Sequence, residues 1–366
     1  MKSNFEFLNR YWPTLAQIGA VAESYVYPDP NACLYKLGMF GERLVLEIFS
    51  FEHIKEPTTD NTHANRIRLL KREGLIPKKI DDILYALRKT RNDAVHSGAD
   101  SVEDAKTLLS MTYNLAVWFM EVYGDWGYIA PAFVMPENVA QPDYEAIIKK
   151  QEEKIAVLSK QIETVSTAAS SRTSKERAEK GEAASESMEL SEAETRYLID
   201  EQLRKFGWEA DTNNVRYSKG TRPQKGRNLA IAEWPTDSAV GKNGYADYAL
   251  FLGLKLVGIV EAKKAALDIP AVIDHQCKEY AKGIKTEHKE YIINQWGAYK
   301  VPFVFATNGR KYLKQIDTKS GIWCLDLRSG ANVPKALQGW ISPQGLIEQV
   351  EKDVAAANAP LQNTPL

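Results

Sequence analysis

The chain has 366 residues, of which 44% are hydrophobic and 26% charged, values ordinary for globular proteins; wholesale disorder, collagen-like repeats and a membrane-embedded chain are excluded on composition. That length accommodates about two domains. The net charge of −1 conceals an asymmetry, since residues 1–190 carry 23 Lys and Arg against 28 Asp and Glu, whereas residues 191–366 carry 24 against 20. A surplus of four basic residues permits a polyanionic partner without establishing one, because that inference needs a clustered basic face. Cys33, Cys277 and Cys324 form no CxxC pair, which argues against a disulfide framework or structural zinc and for a reducing compartment. The start, Met1 to Phe7, lacks the apolar run of a signal peptide and no stretch approaches a membrane span; a soluble, cytoplasmic protein with no membrane partner is expected.

Apolar residues at three- and four-residue spacing predict helices over 34–49, 64–75, 80–95 and 102–122, separated by Pro57, Pro77 and Ser97-Gly98. The first 142 residues therefore read as an all-α helical bundle of four or five helices. Between 143 and 189, Ile148, Ile155 and Ile162 recur every seven residues with Leu158 and Val165 at the complementary heptad positions, the pattern of a short coiled coil. From Ser166 to Ser187 no large apolar residue occurs, so the segment cannot offset its ordering entropy by burial and reads as a flexible linker.

The texture then changes. Short apolar runs at 246–252, 254–262, 301–306 and 322–327 predict strands, with helices over 191–206 and 269–284 and a third near 289–298. Residues 190–345 thus read as an α/β domain with a mixed central sheet, and 346–366 as a tail.

Two of those strands meet around Gly253-Leu254-Lys255. If the hairpin is symmetric about Leu254, Asp247 faces Glu261, and Lys263 projects from the same face as Glu261. Two carboxylates on opposed strands offer hard oxygen ligands to Mg²⁺, to which the backbone carbonyl of Ala262 adds another. Such a metal polarises a phosphate and acidifies an attacking water, while Lys263 would orient or deprotonate that water and stabilise charge on phosphorus. Asp-x13-Glu-x-Lys is common by chance. The hairpin and a following helix carrying Gln276 and Tyr280 one turn apart supply the context that such a motif needs.

Four ordered segments, Ala230-Ile231-Ala232-Glu233-Trp234-Pro235, Gly244-Tyr245-Ala246-Asp247-Tyr248, Val260-Glu261-Ala262-Lys263-Lys264 and Gln276-Cys277-Lys278-Glu279-Tyr280, together resemble the nuclease region of the R subunit (HsdR) of type I restriction enzymes. Ala306-Thr307-Asn308-Gly309 looks like a further family segment, and the similarity spans roughly 190–343. The resemblance implies a PD-(D/E)xK restriction-endonuclease-like fold, with Asp247 and Glu261 as metal ligands, Lys263 as catalytic lysine, and Gln276 and Tyr280 as an accessory pair that supports DNA positioning. Ala246 stands where the motif name has proline. Glu194 is a candidate additional acid near the metal. The implied activity is Mg²⁺-dependent cleavage of double-stranded DNA, in a complex with modification and specificity subunits.

Arg216, Lys219, Arg222, Lys225 and Arg227 form a glycine-containing basic loop suited to the DNA backbone. In the first half, Arg91-Asn92-Asp93-Ala94-Val95-His96 resembles the ribonuclease motif of HEPN domains, and the bundle around it resembles the related DUF4145 module. Imidazole and guanidinium there would serve RNA cleavage, or simply interact with the carboxyl end of a helix. A non-catalytic module that binds DNA or a partner subunit is a further alternative. R subunits continue into an ATP-driven translocase, whose Gly-x4-Gly-Lys-Ser/Thr loop does not occur here; ATP is therefore expected only for such a motor, and the chain reads either as part of a longer subunit or as a naturally short one.

Overall fold

The computed structural model describes residues 3–56, 60–138, 172–237, 244–263, 269–309 and 321–352, and the side chains of His96 and Ser97 also lie outside the description. The expected coiled coil over 143–165 and the terminal tail beyond 352 fall outside the described residues. The chain divides into two compact units between Glu189 and Leu190. Among the described residues no helix is long and apolar enough to cross a membrane.

The first unit is all helical, as expected. Helix α1 spans Pro13–Tyr25, α2 Pro30–Phe51, α3 His63–Arg72, α4 Lys78–Ser97 and α5 Val102–Phe119, the last continuing into a π-helical turn at Met120–Gly124. Side chains of Asp29, Thr62 and Ser101 cap α2, α3 and α5 by accepting backbone N–H groups that the first turn leaves unpaired. Helix α1 escapes periodicity because buried Thr14, Leu15, Ala16, Ile18, Gly19, Val21 and Ala22 surround most of its circumference, leaving no clean polar stripe.

A sixth helix, α6 at Ser174–Ser187, replaces the flexible segment that composition predicts. Thr173 and Glu176 form a reciprocal capping box at its start. Small residues on one face, Gly181, Ala184 and Ser185, are buried, and the Trp118 indole N–H donates to the Gly181 carbonyl at 2.9 Å. Arg177 binds the Glu52 carboxylate through two hydrogen bonds of 2.7 Å each, with side-chain exposures of 8% and 1%. At the far end the Lys79 ammonium donates to the carbonyls of Ser185 and Met188 at 2.5 and 2.7 Å. Charge pairing and close approach hold this helix rather than large apolar side chains, so an argument from apolar content misses it.

In the second unit, α7 (Glu192–Lys205) leads into a seven-stranded mixed sheet: β1 Glu209–Ala210, β2 Asn228–Pro235, β3 Tyr245–Leu252, β4 Lys255–Ala262, β5 Phe303–Thr307, β6 Ile322–Asp326 and β7 Lys335–Leu337. The strands lie in sequence order, parallel at β1/β2 and β4/β5 and antiparallel elsewhere. One face packs Ile231, Ala249, Ile259 and Val304 against Ile273, Cys277 and Tyr280, and the other packs Ala232, Tyr248, Val260 and Phe305 with Ile199, Leu203 and Leu346.

The helix expected over 269–284 is broken into α8 (Ile269–Val272), a π-helical turn (Ile273–Cys277) and α9 (Lys278–Lys282). In place of a helix near 289–298 there is one 3₁₀ stretch at Thr286–Tyr291, and Trp296 beyond it is half-buried. A final helix, α10, covers Pro343–Glu351, with Ser342 accepting the Gly345 N–H, where the beginning of a tail was expected.

The Arg177–Glu52 pair yields a stability prediction for the full chain. Arg177→Ala strands a buried carboxylate and should destabilise the first unit by about 3–5 kcal/mol, whereas the joint change Arg177→Met, Glu52→Gln should recover much of that loss. Urea unfolding followed by tryptophan fluorescence and far-UV dichroism checks both.

Candidate active site

The β3–β4 hairpin turns through Gly253-Leu254, with Gly253 at φ 61, a left-handed conformation that favours glycine. Near the turn Leu252 pairs with Lys255 and Phe251 with Leu256; a β-bulge then shifts the register, so that Leu250 pairs with Gly258 and Tyr248 with Val260. Symmetry about Leu254 therefore holds toward the strand ends but fails at the turn, where a two-residue connection and a bulge replace it. The extra residue matters because a one-residue slip moves every side chain to the other face. With it, Asp247 and Glu261 arrive beside each other.

Their surroundings are unequal. Asp247 accepts the Ala262 backbone N–H through Oδ2 at 2.7 Å and Arg196 through Oδ1. Glu261 is 4% exposed and accepts the Lys263 ammonium through Oε1 at 2.5 Å, while its buried Oε2 meets no donor. Burial foremost, and then the Asp247 charge, raise the Glu261 carboxyl well above the usual range, against the pull of Lys263. Lys263 is tied to β5 through its backbone N–H, which donates to the Thr307 carbonyl at 2.8 Å.

Across the site, the Gln276 amide donates to the Tyr280 hydroxyl at 2.8 Å. Burial, followed by the Glu261 charge, raises the Tyr280 phenol far above its usual range. The π-helical turn holds Gln276, and α9 carries Tyr280. Five candidates, Asp247, Glu261, Lys263, Gln276 and Tyr280, therefore converge, with the Ala262 backbone between the two acids. His275, also on that turn, is exposed.

The remaining candidates stand elsewhere or are already engaged. Glu194 is buried, and its carboxylate accepts the Ser191 N–H at 2.7 Å as half of the capping box of α7. In the basic loop, Arg216 pairs with Glu233. Arg222 lies 3.7 Å from the Tyr217 ring centroid and donates to the Tyr217 and Thr221 carbonyls. Arg227 binds Glu209, while Lys219 and Lys225 are exposed. In the first unit, Arg91 pairs with Glu42 and lies 5.2 Å from the Tyr35 ring. A Cβ at Gly38 would stand 2.3 Å from that of Arg91, so the arginine stem fills a space that glycine leaves on α2. Arg91 is built into the helix packing, and the side chain of its proposed partner His96 lies outside the described residues.

Two residues at the site escape the spacing of the motif. Arg196 of α7 reaches Asp247, Glu233 at 3.2 Å and Glu192 at 3.2 Å. Glu233 interrupts the buried run of β2 with a left-handed backbone, φ 51, which is uncommon for a side-chain-bearing residue. An acid inside Ala-Ile-Ala-Glu-Trp-Pro is the signal that could have found it.

Behind Asp247, Asp200 accepts the Thr212 N–H at 2.7 Å, and the Thr212 hydroxyl shares a 2.8 Å hydrogen bond with Tyr248. Burial pushes Asp200 up to about 6 from an ordinary 3.8. The folded state thus holds a proton that the unfolded state has released. Its contribution is fully present below about pH 4 and is lost as pH rises through about 6, on the order of 3 kcal/mol in all. Asp200→Asn should flatten that slope, as read from unfolding midpoints of the second unit at pH 4.5 and 7.

Comparison with known proteins finds a separate family match in each unit. Residues 209–350 match the family described as "Type I restriction enzyme EcoKI endonuclease subunit second domain", and residues 22–165 match DUF4145, a domain of unknown function. The type I restriction enzyme EcoKI endonuclease subunit of Escherichia coli (strain K12) is 32% identical over 438 aligned positions, which take in 100% of this chain and 37% of that protein. The chain therefore spans little more than a third of that relative's length. No solved structure matches it.

Proposed function

We propose, for a chain related through both of its units to the endonuclease subunit of type I restriction enzymes, that the second unit is a Mg²⁺-dependent nuclease that hydrolyses phosphodiester bonds of double-stranded DNA. The observation that carries this reading is the buried, unpartnered Oε2 of Glu261 beside a second carboxylate and an ammonium. A buried acceptor left without a donor is costly, and a hard divalent cation satisfies it. Asp247 and Glu261 would hold the ion, with the Ala262 carbonyl completing the oxygen set. When bound, Mg²⁺ supplies Lewis-acid polarisation of the phosphate and a lowered pKa for bound water.

The chain's own residues do the rest. The Ala262 N–H and the Arg196 guanidinium each bond one oxygen of Asp247 and so fix the plane of its carboxylate. Lys263, now hydrogen-bonded to Glu261, would orient the attacking water and stabilise negative charge as it grows on the phosphate oxygens. The Gln276–Tyr280 pair would position the strand to be cut. Exposed Lys219 and Lys225 are the members of the basic loop best placed to meet backbone phosphates.

Partner modification and specificity subunits and an ATP-driven motor would belong to the whole enzyme, which would act in the cytoplasm. Plasmid cleavage by that complete assembly tests the reading. Glu261→Ala and Lys263→Ala should each lower Mg²⁺-dependent cleavage by about 100-fold or more, the scale of losing a charged group in a water-poor site, with assembly intact by sedimentation. Undiminished cleavage by either variant would refute the assignment.

A further inference from the structure

We propose that Glu233 and Arg196 are positioning residues for Asp247: Glu233 holds the Arg196 guanidinium in place, and Arg196 in turn orients the Asp247 carboxylate for a divalent cation. The inference rests on the nuclease reading above and concerns residues outside its motif.

The backbone supports it first. On β2, Leu229 and Ile231 face one layer and Ala230 and Ala232 the other, but Trp234 lies with Ile231 instead of Ala232. On β3, Ala246 likewise lies with Ala249 instead of Tyr248. Strict period-two alternation therefore breaks on adjacent strands at the same level. The ladder pairs Ala232 with Tyr248 and Trp234 with Ala246, and the two residues between them, Glu233 and Asp247, are those that face each other unpaired. Glu233 adopts the left-handed conformation there. Strain of this kind persists only where the surroundings enforce it, and it gathers at functional sites.

The charges supply the second support. One guanidinium serves three carboxylates: Nη1 meets Glu233 at 3.2 Å, while Nη2 meets Glu192 at 3.2 Å and also Asp247. Arg216 completes the row by pairing with the other oxygen of Glu233. The Arg196 backbone is fixed as well, since its carbonyl accepts the Tyr248 hydroxyl at 3.3 Å. A planar fork is suited to bridging two carboxylates in fixed orientation. Shared in this way, the guanidinium makes its closest contact with Asp247 while Glu233 and Glu192 hold it from the other side. Without the Glu233 charge, Arg196 loses one of its anchors and the Asp247 carboxylate its fixed orientation.

A double-mutant cycle on the full chain, with Mn²⁺ binding measured by calorimetry, separates these roles. Glu233→Gln should weaken Mn²⁺ binding about tenfold in the wild-type background. Arg196→Gln should itself weaken Mn²⁺ binding, and Glu233→Gln should have no further effect in that background. An equal loss in both backgrounds would make Glu233 a ligand and overturn the proposal, as would no loss in either. If Arg196→Gln does not fold, Arg196→Met keeps the aliphatic stem without the charge and serves the same cycle, and the effect of Glu233→Gln must again shrink. Glu261→Ala is the control. If it abolishes binding while Glu233→Gln is silent, the positioning role fails and the nuclease reading stands; if it too is silent, both fail.

Discussion

A carboxylate sealed from water beside another carboxylate is the constraint around which the second unit is arranged. Glu261 cannot be solvated, and half of its acceptor capacity meets no donor. Each neighbour answers some part of that charge. Lys263 neutralises one oxygen, the Ala262 N–H and Arg196 take the two oxygens of Asp247, and Glu233 and Glu192 share the arginine. The sheet supplies the rigidity. A bulge in the hairpin and a left-handed residue on β2 bring the acids into line at the strand ends, while apolar layers on both faces exclude water and strengthen every charge interaction inside.

Much of this was legible from residue order. The alternation of apolar and charged residues around Gly253 placed Asp247, Glu261 and Lys263 on one hairpin, and helical spacing placed Gln276 and Tyr280 one turn apart. What spacing could not show was the bulge, which leaves Val257 as the extra residue between the Leu256 and Gly258 pairings, and Arg196, which is 51 residues from its partner Asp247. Glu233 belongs to one of the segments that carry the resemblance, yet no spacing marks it as a charge at the site. The basic loop shows the converse limit. Counting its cations cannot reveal that Arg216, Arg222 and Arg227 already have partners within the fold.

The first unit carries a related lesson. Helices with a clear apolar stripe were readable, whereas α1, buried nearly all round, and α6, held by a buried ion pair and small residues, were not. Composition measures what hydrophobic burial can achieve; it does not register a guanidinium that finds a carboxylate 125 residues away in sequence. Arg91 belongs to the same class. Its packing against Gly38 and its pairing with Glu42 explain an arginine at that position without assigning it to catalysis.

The central claim is that the open side of Glu261 and Asp247 receives a divalent cation. Its most direct test is the anomalous scattering of Mn²⁺ in crystals of this chain grown with the ion. A peak at about 2.0–2.2 Å from Glu261 Oε2 and from an oxygen of Asp247, within the range for hard cations on carboxylates, is the expected result. A saturating soak that leaves both carboxylates without a peak, and Oε2 instead bonded to a protein donor or a water, would contradict it.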